Sequence, residues 1–182
     1  MASTTDDDDG DGPPRSLLIA AVGLAVAAIV TVLAIAAVRQ LPEQLQPVPV
    51  ATVPAPKSAS PECTALLAAL PDQLGDYRRA VVDTTNTGVA AWQNSPDADP
   101  VILRCGLDRP AEFVVGAPLQ VVDAVQWFEL TEADRSTWFA VDRPVYIALT
   151  LPSGSGPTPI QEISEAIAKA MPAKPLDPGA PR

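Results

Sequence analysis

The sequence predicts an α+β protein: a single N-terminal transmembrane helix, a proline-rich linker, then a small domain whose mainly antiparallel sheet of about six strands is covered by two helices. Three observations predict it. Residues 17–38 form an apolar run without a charge, residues 39–60 are rich in proline, and residues 61–172 hold every tryptophan, phenylalanine and tyrosine of the 182-residue chain. Residues 1–16, which are acidic, and residues 173–182 are expected to be disordered tails.

The apolar run 17–38 is expected to cross a membrane. A helix of this length spans roughly 30 Å, the thickness of a bilayer's hydrocarbon core. A cleaved signal peptide is the alternative, since Ala34-Ile35-Ala36 resembles a cleavage site. Residues 1–16, however, carry five Asp and one Arg, whereas a signal peptide begins with net positive charge. We therefore expect an uncleaved anchor that contacts the lipid bilayer through residues 17–38.

The linker is defined by prolines at positions 42, 47, 49, 54 and 56. Proline donates no backbone hydrogen bond and favours an extended polyproline conformation. We expect a stalk that holds the domain away from the membrane. The alternative is a loop packed on the domain.

The expected topology is that of a single-pass protein of the cell membrane, with residues 1–16 in the cytoplasm and the domain outside it. The positive-inside rule barely decides this, because Arg15 and Arg39 flank the two ends of the run. The proline-rich stalk and two cysteines at inward-facing positions suit an oxidising exterior.

Two helices of the domain are predicted from their first residues and their apolar stripes. The first begins at Ser60-Pro61-Glu62, with a hydroxyl N-cap, a first-turn proline and an acid, and ends before Pro71. The second begins at Thr158-Pro159-Ile160-Gln161, which matches a capping box, and ends before Pro172. The buried stripes comprise Cys63, Leu66, Leu67 and Leu70 in the first helix and Ile160, Ile163, Ile167 and Met171 in the second.

Six strands are predicted between the helices from alternation and turn residues. In Val101–Cys105, alternation places Val101, Leu103 and Cys105 on one face, and Ile102 and Arg104 on the other. The other strands are Tyr77–Val82, Gly88–Trp92, Val121–Leu130, Ser136–Val141 and Val145–Leu151, the last two joined by a hairpin at 142–144. One core is expected to hold Val101, Leu103, Cys105, Leu66, Leu67, Leu70, Ile147, Leu149, Ile163 and Ile167.

The composition excludes several kinds of chemistry. The chain has no histidine, which removes imidazole-based catalysis, and its two cysteines cannot build a four-thiolate zinc site or an iron–sulfur cluster. Twelve Lys and Arg against 22 Asp and Glu give a net charge of −10, unsuited to binding nucleic acid. Walker A, GxGxxG and Gly-x-Ser-x-Gly motifs are missing. We therefore expect no catalytic residue, metal, cofactor or nucleic-acid partner.

Cys63 and Cys105 form the first candidate site. Both fall on inward faces of elements that can pack together, and outside the cytosol this favours a disulfide. Closing a loop of this size would stabilise the fold by about 4 kcal/mol in the entropic model. The alternatives are two free core thiols, or a redox-active pair, although their spacing differs from Cys-X-X-Cys.

A second candidate is an aromatic and cationic cluster. An arginine beside a tryptophan can bind a carboxylate, a phosphate or a glycan face. The alternative, which we favour, is that the tryptophans fill the core while the arginines pair with nearby acids. Five acids could in turn supply a catalytic carboxylate pair or hold calcium, but solvated turns are the better interpretation. The cluster comprises Trp92, Arg104, Arg109 and Trp127 with Trp138, and the acids are Asp97, Asp99, Glu129, Glu132 and Asp134.

A set of short motifs runs along the domain. It comprises Cys63 with Leu66-Leu67 and Leu70-Pro71, Ala90-Ala91-Trp92, Leu103-Arg104-Cys105-Gly106 with Pro110, Val125-Gln126-Trp127 and Arg143-Pro144-Val145-Tyr146. With these motifs the domain resembles the domain-of-unknown-function 3515 family of actinobacterial membrane-anchored proteins over most of residues 61–172. The resemblance implies an envelope location and a shared architecture, and it implies no activity.

From these features we expect a membrane-anchored extracytoplasmic protein, not an enzyme, that serves as a binding or scaffolding module of the cell envelope. Its partner would be an envelope protein or a cell-wall component. The alternatives are an envelope hydrolase that uses a carboxylate pair and a redox sensor that uses Cys63 and Cys105.

Overall fold

Residues 15–39, 46–132 and 134–181 are described by the computed structural model, and the chain divides into two units, Met1–Pro42 and Glu43–Arg182. The first unit holds one helix, α1 (Arg15–Arg39). Its segment Ser16–Ala36 is exposed and has a mean hydropathy of 2.9, so the helix is long and apolar enough to cross a membrane. A signal sequence near an N-terminus meets the same criterion. Most of the predicted acidic tail 1–16 and residues 40–45 of the linker lie outside the described residues.

The second unit confirms the predicted α+β class. The strands of the described residues are β1 (Val48–Pro49), β2 (Gln73–Leu74), β3 (Tyr77–Ala80), β4 (Val82–Asp83), β5 (Val89–Gln93), β6 (Val101–Leu107), β7 (Gln120–Val122), β8 (Val125–Thr131), β9 (Arg135–Ala140) and β10 (Tyr146–Pro152). Eight of them form one antiparallel sheet in the order β2-β3-β5-β6-β10-β9-β8-β7, and β1 pairs with β4 in parallel. The helices are α2 (Pro61–Ala69) and α3 (Thr158–Ala170).

The predicted single strand Val121–Leu130 is wrong, because the chain reverses direction within it. Asp123 and Ala124 have φ values of 44° and 63°, and two consecutive left-handed residues make the tight turn that joins β7 to β8. Val121 is 69% exposed on the edge strand β7. The segment predicted as one strand is therefore a hairpin of two strands.

The two helices differ in how well their first residues were predicted. Ser60 is the N-cap of α2, and its hydroxyl accepts a hydrogen bond of 3.3 Å from the Cys63 amide, as the sequence predicts. The capping box predicted for α3 is wrong. Pro157 already has helical dihedral angles, so Thr158 lies inside the helix, and no side chain caps this end.

One face of the sheet packs against α2 and α3 and forms the main core. The core contains nine of the ten residues predicted for it, and the tenth, Leu67, is half-buried against the same cluster. The alternating strands account for this agreement. Val101, Leu103 and Cys105 of β6 are fully buried beside Ile147 and Leu149 of β10.

The proline-rich segment 46–60 packs on the domain, so its interpretation as a stalk is wrong for these residues. Val48 and Val50 are buried against β3 to β5, and the Lys57 amide donates to the Gly106 carbonyl at 3.0 Å. Valines alternate with the prolines here, and burying them stabilises the packed segment. Gly106 has a φ of +87°, and a Cβ there would overlap the Lys57 and Ser58 backbone, so glycine is required for this close approach.

The C-terminal segment 173–181 also packs on the domain, which corrects its interpretation as a disordered tail. The Gly179 amide donates to the Phe113 carbonyl at 2.8 Å, and the Val115 amide donates to the Gly179 carbonyl at 3.0 Å. The Lys174 amide donates to the Asp142 carbonyl at 2.7 Å. Backbone groups make these bonds, so the side-chain pattern of the segment gives no sign of them.

Candidate functional site

The face of the sheet opposite the two helices carries a groove of about 450 Å³, here called the open-face groove. Its floor is built by strands β6, β10 and β9. On one side a small cluster of buried residues, which includes Val48 and Val50, packs against Ile102, and on the other a cluster that includes Phe113 packs against Phe139. Both Ile102 and Phe139 line the groove, so it lies between the two clusters.

The floor of the groove follows from strand register. Arg104 of β6 pairs with Ala148 of β10, and Ala148 pairs with Phe139 of β9. In the next row, Thr150 of β10 pairs with Ile102 on one side and Thr137 on the other. Residues paired across antiparallel strands project from the same face, so all six line the groove. The small side chain of Ala148 leaves depth between the guanidinium and the phenyl ring.

The walls of the groove come from segments far apart in sequence. Val53 and Pro54 belong to the packed proline-rich segment, whereas Leu107 and Asp108 lie at the end of β6. Glu132 and Arg135 close the remaining side at the turn between β8 and β9.

Of the two arginines that line the groove, Arg104 has no counter-charge among the described residues. No hydrogen bond or ion pair joins its guanidinium to them, and its Nε is buried without a partner. Burial lowers the pKa of Arg104 from its usual value, and no carboxylate offsets this effect. The side chain therefore brings a half-buried positive charge without a counter-ion to the groove.

Arg135, the second arginine of the groove, is compensated. Its Nη2 lies 2.9 Å from Asp134, and its Nε lies 3.8 Å from Glu132. The hydrogen bond from Arg135, followed by its charge, lowers the pKa of Asp134. The two threonine hydroxyls of the floor, Thr137 and Thr150, lie 3.2 Å apart and hydrogen-bond to each other.

The tryptophans of the predicted cluster lie in the main core, on the other face of the sheet from the groove. The Trp92 indole donates to the Pro71 carbonyl at 2.9 Å, and the Arg79 guanidinium stacks 4.7 Å from its ring centroid. The Trp127 indole donates to the Ser164 hydroxyl at 3.0 Å. This placement matches the interpretation that the tryptophans fill the core.

The two arginines of the predicted cluster, Arg104 and Arg109, lie in different places. Arg109 lies 3.5 Å from Asp177 of the C-terminal segment, in an exposed ion pair. Burial raises the pKa of the neighbouring Tyr146, whose hydroxyl donates to the Asp177 carbonyl at 3.2 Å. Of the residues proposed for the cluster, Arg104 lines the groove, and Trp92, Trp127 and Arg109 do not.

A disulfide joins Cys63 to Cys105, with their Cα atoms 5.6 Å apart. It links α2 to β6, and both cysteines are 0% exposed. A redox sensor needs a sulfur that a reductant can reach, so this burial favours a structural role. Cys105 is adjacent to Arg104, and alternation along β6 sends the disulfide into the core while the arginine enters the groove.

Sequence reasoning missed most of the groove. Alternation did assign Ile102 and Arg104 to the face opposite Leu103, and that signal was available for Ala148 and Thr150 as well. Thr137 and Phe139 could be added once β9 and β10 were aligned as a hairpin. The walls carry no local signal, because they depend on where distant segments pack.

The fold and groove define a disulfide-linked α+β domain in a chain that also holds the apolar helix α1, which is long enough to cross a membrane. A family model described as "Protein of unknown function (DUF3515)" matches residues 22–176. The chain belongs to this family, which confirms the resemblance found in the sequence. No curated protein and no solved structure matches the chain.

Proposed function

We propose that the protein is a single-pass membrane protein whose domain lies outside the cytoplasm and works as a non-catalytic ligand-binding module of the cell envelope. The observation that carries this proposal is the open-face groove, which is lined by a half-buried arginine, Arg104, without a partner among the described residues. Its volume of about 450 Å³ falls within the range of small-molecule sites.

The anchoring part of the proposal is supported by α1. Its segment Ser16–Ala36 is entirely exposed although it is apolar, as a helix surrounded by lipid would be. Residues 1–16 carry five Asp and one Arg, unlike the basic start of a secretory signal peptide. The disulfide between Cys63 and Cys105 favours an oxidising compartment for the domain, with residues 1–16 on the cytoplasmic side.

The non-catalytic part is supported by the chemistry of the groove. The chain has no histidine, and the hydroxyls of Thr137 and Thr150 bond to each other instead of to a base. A carboxylate-pair hydrolase is the second candidate function, because Asp108 and Glu132 both line the groove. Glu132 contacts Arg135 at 3.8 Å, however, an arrangement more suited to holding the turn than to donating a proton.

The proposal predicts that the groove is occupied in cells. A photoreactive benzophenone residue is introduced at Val53, on the groove wall, or at Gln161, exposed on the helix-covered side, and intact cells are irradiated. We expect an adduct from position 53 that is missing from position 161, measured as a mass shift of the purified protein.

The control for this experiment fills the groove. Ala148→Phe places a ring in the middle of the floor, and we expect it to abolish the adduct at position 53 because no ligand then fits. Equal adducts from positions 53 and 161, or an adduct that survives Ala148→Phe, would show that the groove is not a binding site. The absence of any mass shift in the protein that carries benzophenone at position 53 would also show that the groove is not a binding site.

A further inference from the structure

We propose that the open-face groove binds a monocarboxylate with a compact apolar body, and that the Arg104 guanidinium receives the carboxylate group. This inference rests on the proposed function and names the ligand class of the same site.

The charge of Arg104 is the first argument. A half-buried guanidinium without a counter-ion has lost part of its hydration, and a partner that supplies a negative charge recovers that cost. Arg104 lines the groove, and its guanidinium is a planar fork that can meet the two oxygens of a carboxylate. Among the described residues no acid pairs with this guanidinium, and its Nε is buried without a partner. Arg135 does not compete for this role, since Asp134 and Glu132 already neutralise it.

The acids around the groove select the kind of anion. Asp108 and Glu132 lie in the lining of the groove. Like charges repel more strongly as the ligand's charge increases, so a phosphate dianion is disfavoured relative to a carboxylate with a single charge. A carboxylate also matches the flat geometry of the arginine fork.

The remaining lining determines the body of the ligand. Ile102, Ala148 and Phe139 present apolar surface on the floor, and Val53 and Pro54 present it on the wall. One hydroxyl of the Thr137 and Thr150 pair donates to the other, so the second O–H remains free to donate a hydrogen bond near the body. An apolar group of about the size of an amino-acid derivative fits this arrangement.

The test uses the full-length protein in lipid nanodiscs, with isotope-labelled isoleucine and alanine methyl groups. Ile102 and Ala148 report on the groove, whereas Ile147 and Ile163, buried in the main core, are internal references. The probes are N-acetyl-phenylalanine and its amide, which share one body and differ in charge, together with inorganic phosphate.

We expect the carboxylate probe to shift the Ile102 and Ala148 signals with a Kd at least about tenfold below that of the amide, since the charge-assisted pair forms with the carboxylate alone. Arg104→Gln should remove the difference between the two probes. Arg79→Gln is the matched control, because Arg79 is also a half-buried arginine with a pKa lowered by burial, but it stacks on Trp92 on the other face. This variant should keep the preference.

Three results would overturn the inference. Equal affinity for the acid and the amide would show that the groove binds the apolar body and does not recognise the carboxylate. The proposed function would still stand. Shifts from phosphate as strong as those from the acid would show a general anion site. If the acid shifts neither the Ile102 nor the Ala148 signal, the groove does not bind a carboxylate of this kind. The photo-crosslinking at Val53 would then decide separately whether the groove has any ligand.

Discussion

Replacing Cys63 and Cys105 together by alanine is expected to lower the free energy of unfolding by about 4 kcal/mol. The disulfide closes a loop over a sequence separation of 42 residues, and losing it frees the unfolded chain. Its sulfur atoms also pack in the main core, beside residues such as Leu66 and Leu103. Denaturant unfolding of the purified chain, followed by tryptophan fluorescence, measures the loss, because all three tryptophans lie in the domain.

Reduction is the control for this prediction. A reductant should lower the unfolding midpoint of the natural sequence by most of the same amount and leave the double alanine variant unchanged. If a reductant opens the disulfide of the natural sequence and the unfolding midpoint does not change, the disulfide does not stabilise the fold.

Arg143→Met is expected to lower the free energy of unfolding by about 3–5 kcal/mol. The guanidinium lies 2.9 Å from Asp142, and the two side chains are 2% and 3% exposed. Arg143 also donates to the Ala124 carbonyl at 2.8 Å, which ties the turn after β9 to the turn between β7 and β8. Removing the arginine leaves Asp142 buried without its counter-charge, and this explains the size of the effect.

Arg109→Met is the matched control, since it removes an arginine from an exposed ion pair with Asp177. Its effect should stay below about 1 kcal/mol. The double variant Asp142→Leu, Arg143→Met should recover part of the loss, because no unpaired charge remains buried. Equal losses from Arg143→Met and Arg109→Met in denaturant unfolding would contradict the structural role given to the buried pair.

Much of the fold could be predicted because its signals are local. Alternation in Val101–Cys105 placed both the core residues and Arg104, and the Ser60-Pro61 cap placed the start of α2. The turn at Asp123 was missed, since an aspartate followed by an alanine lacks the glycine that commonly marks such a turn.

The candidate site was harder to predict because it is assembled from distant segments. The alternation of β6 indicates that Arg104 faces away from the core, but the depth of the groove depends on its pairing with Ala148 of β10. The wall at Val53 exists because the proline-rich segment packs against Gly106, a contact between residues about fifty positions apart. No local pattern indicates such a contact.

The most direct measurement of the central claim, an anchored domain outside the cytoplasm, uses two single-cysteine additions. Ser3→Cys places a thiol in the N-terminal segment, and Ala168→Cys places one on the exposed side of α3, while the native cysteines are held in the disulfide. Intact cells are treated with a maleimide that cannot cross the membrane. We predict labelling at position 168 and none at position 3, and labelling at position 3 alone would contradict the account.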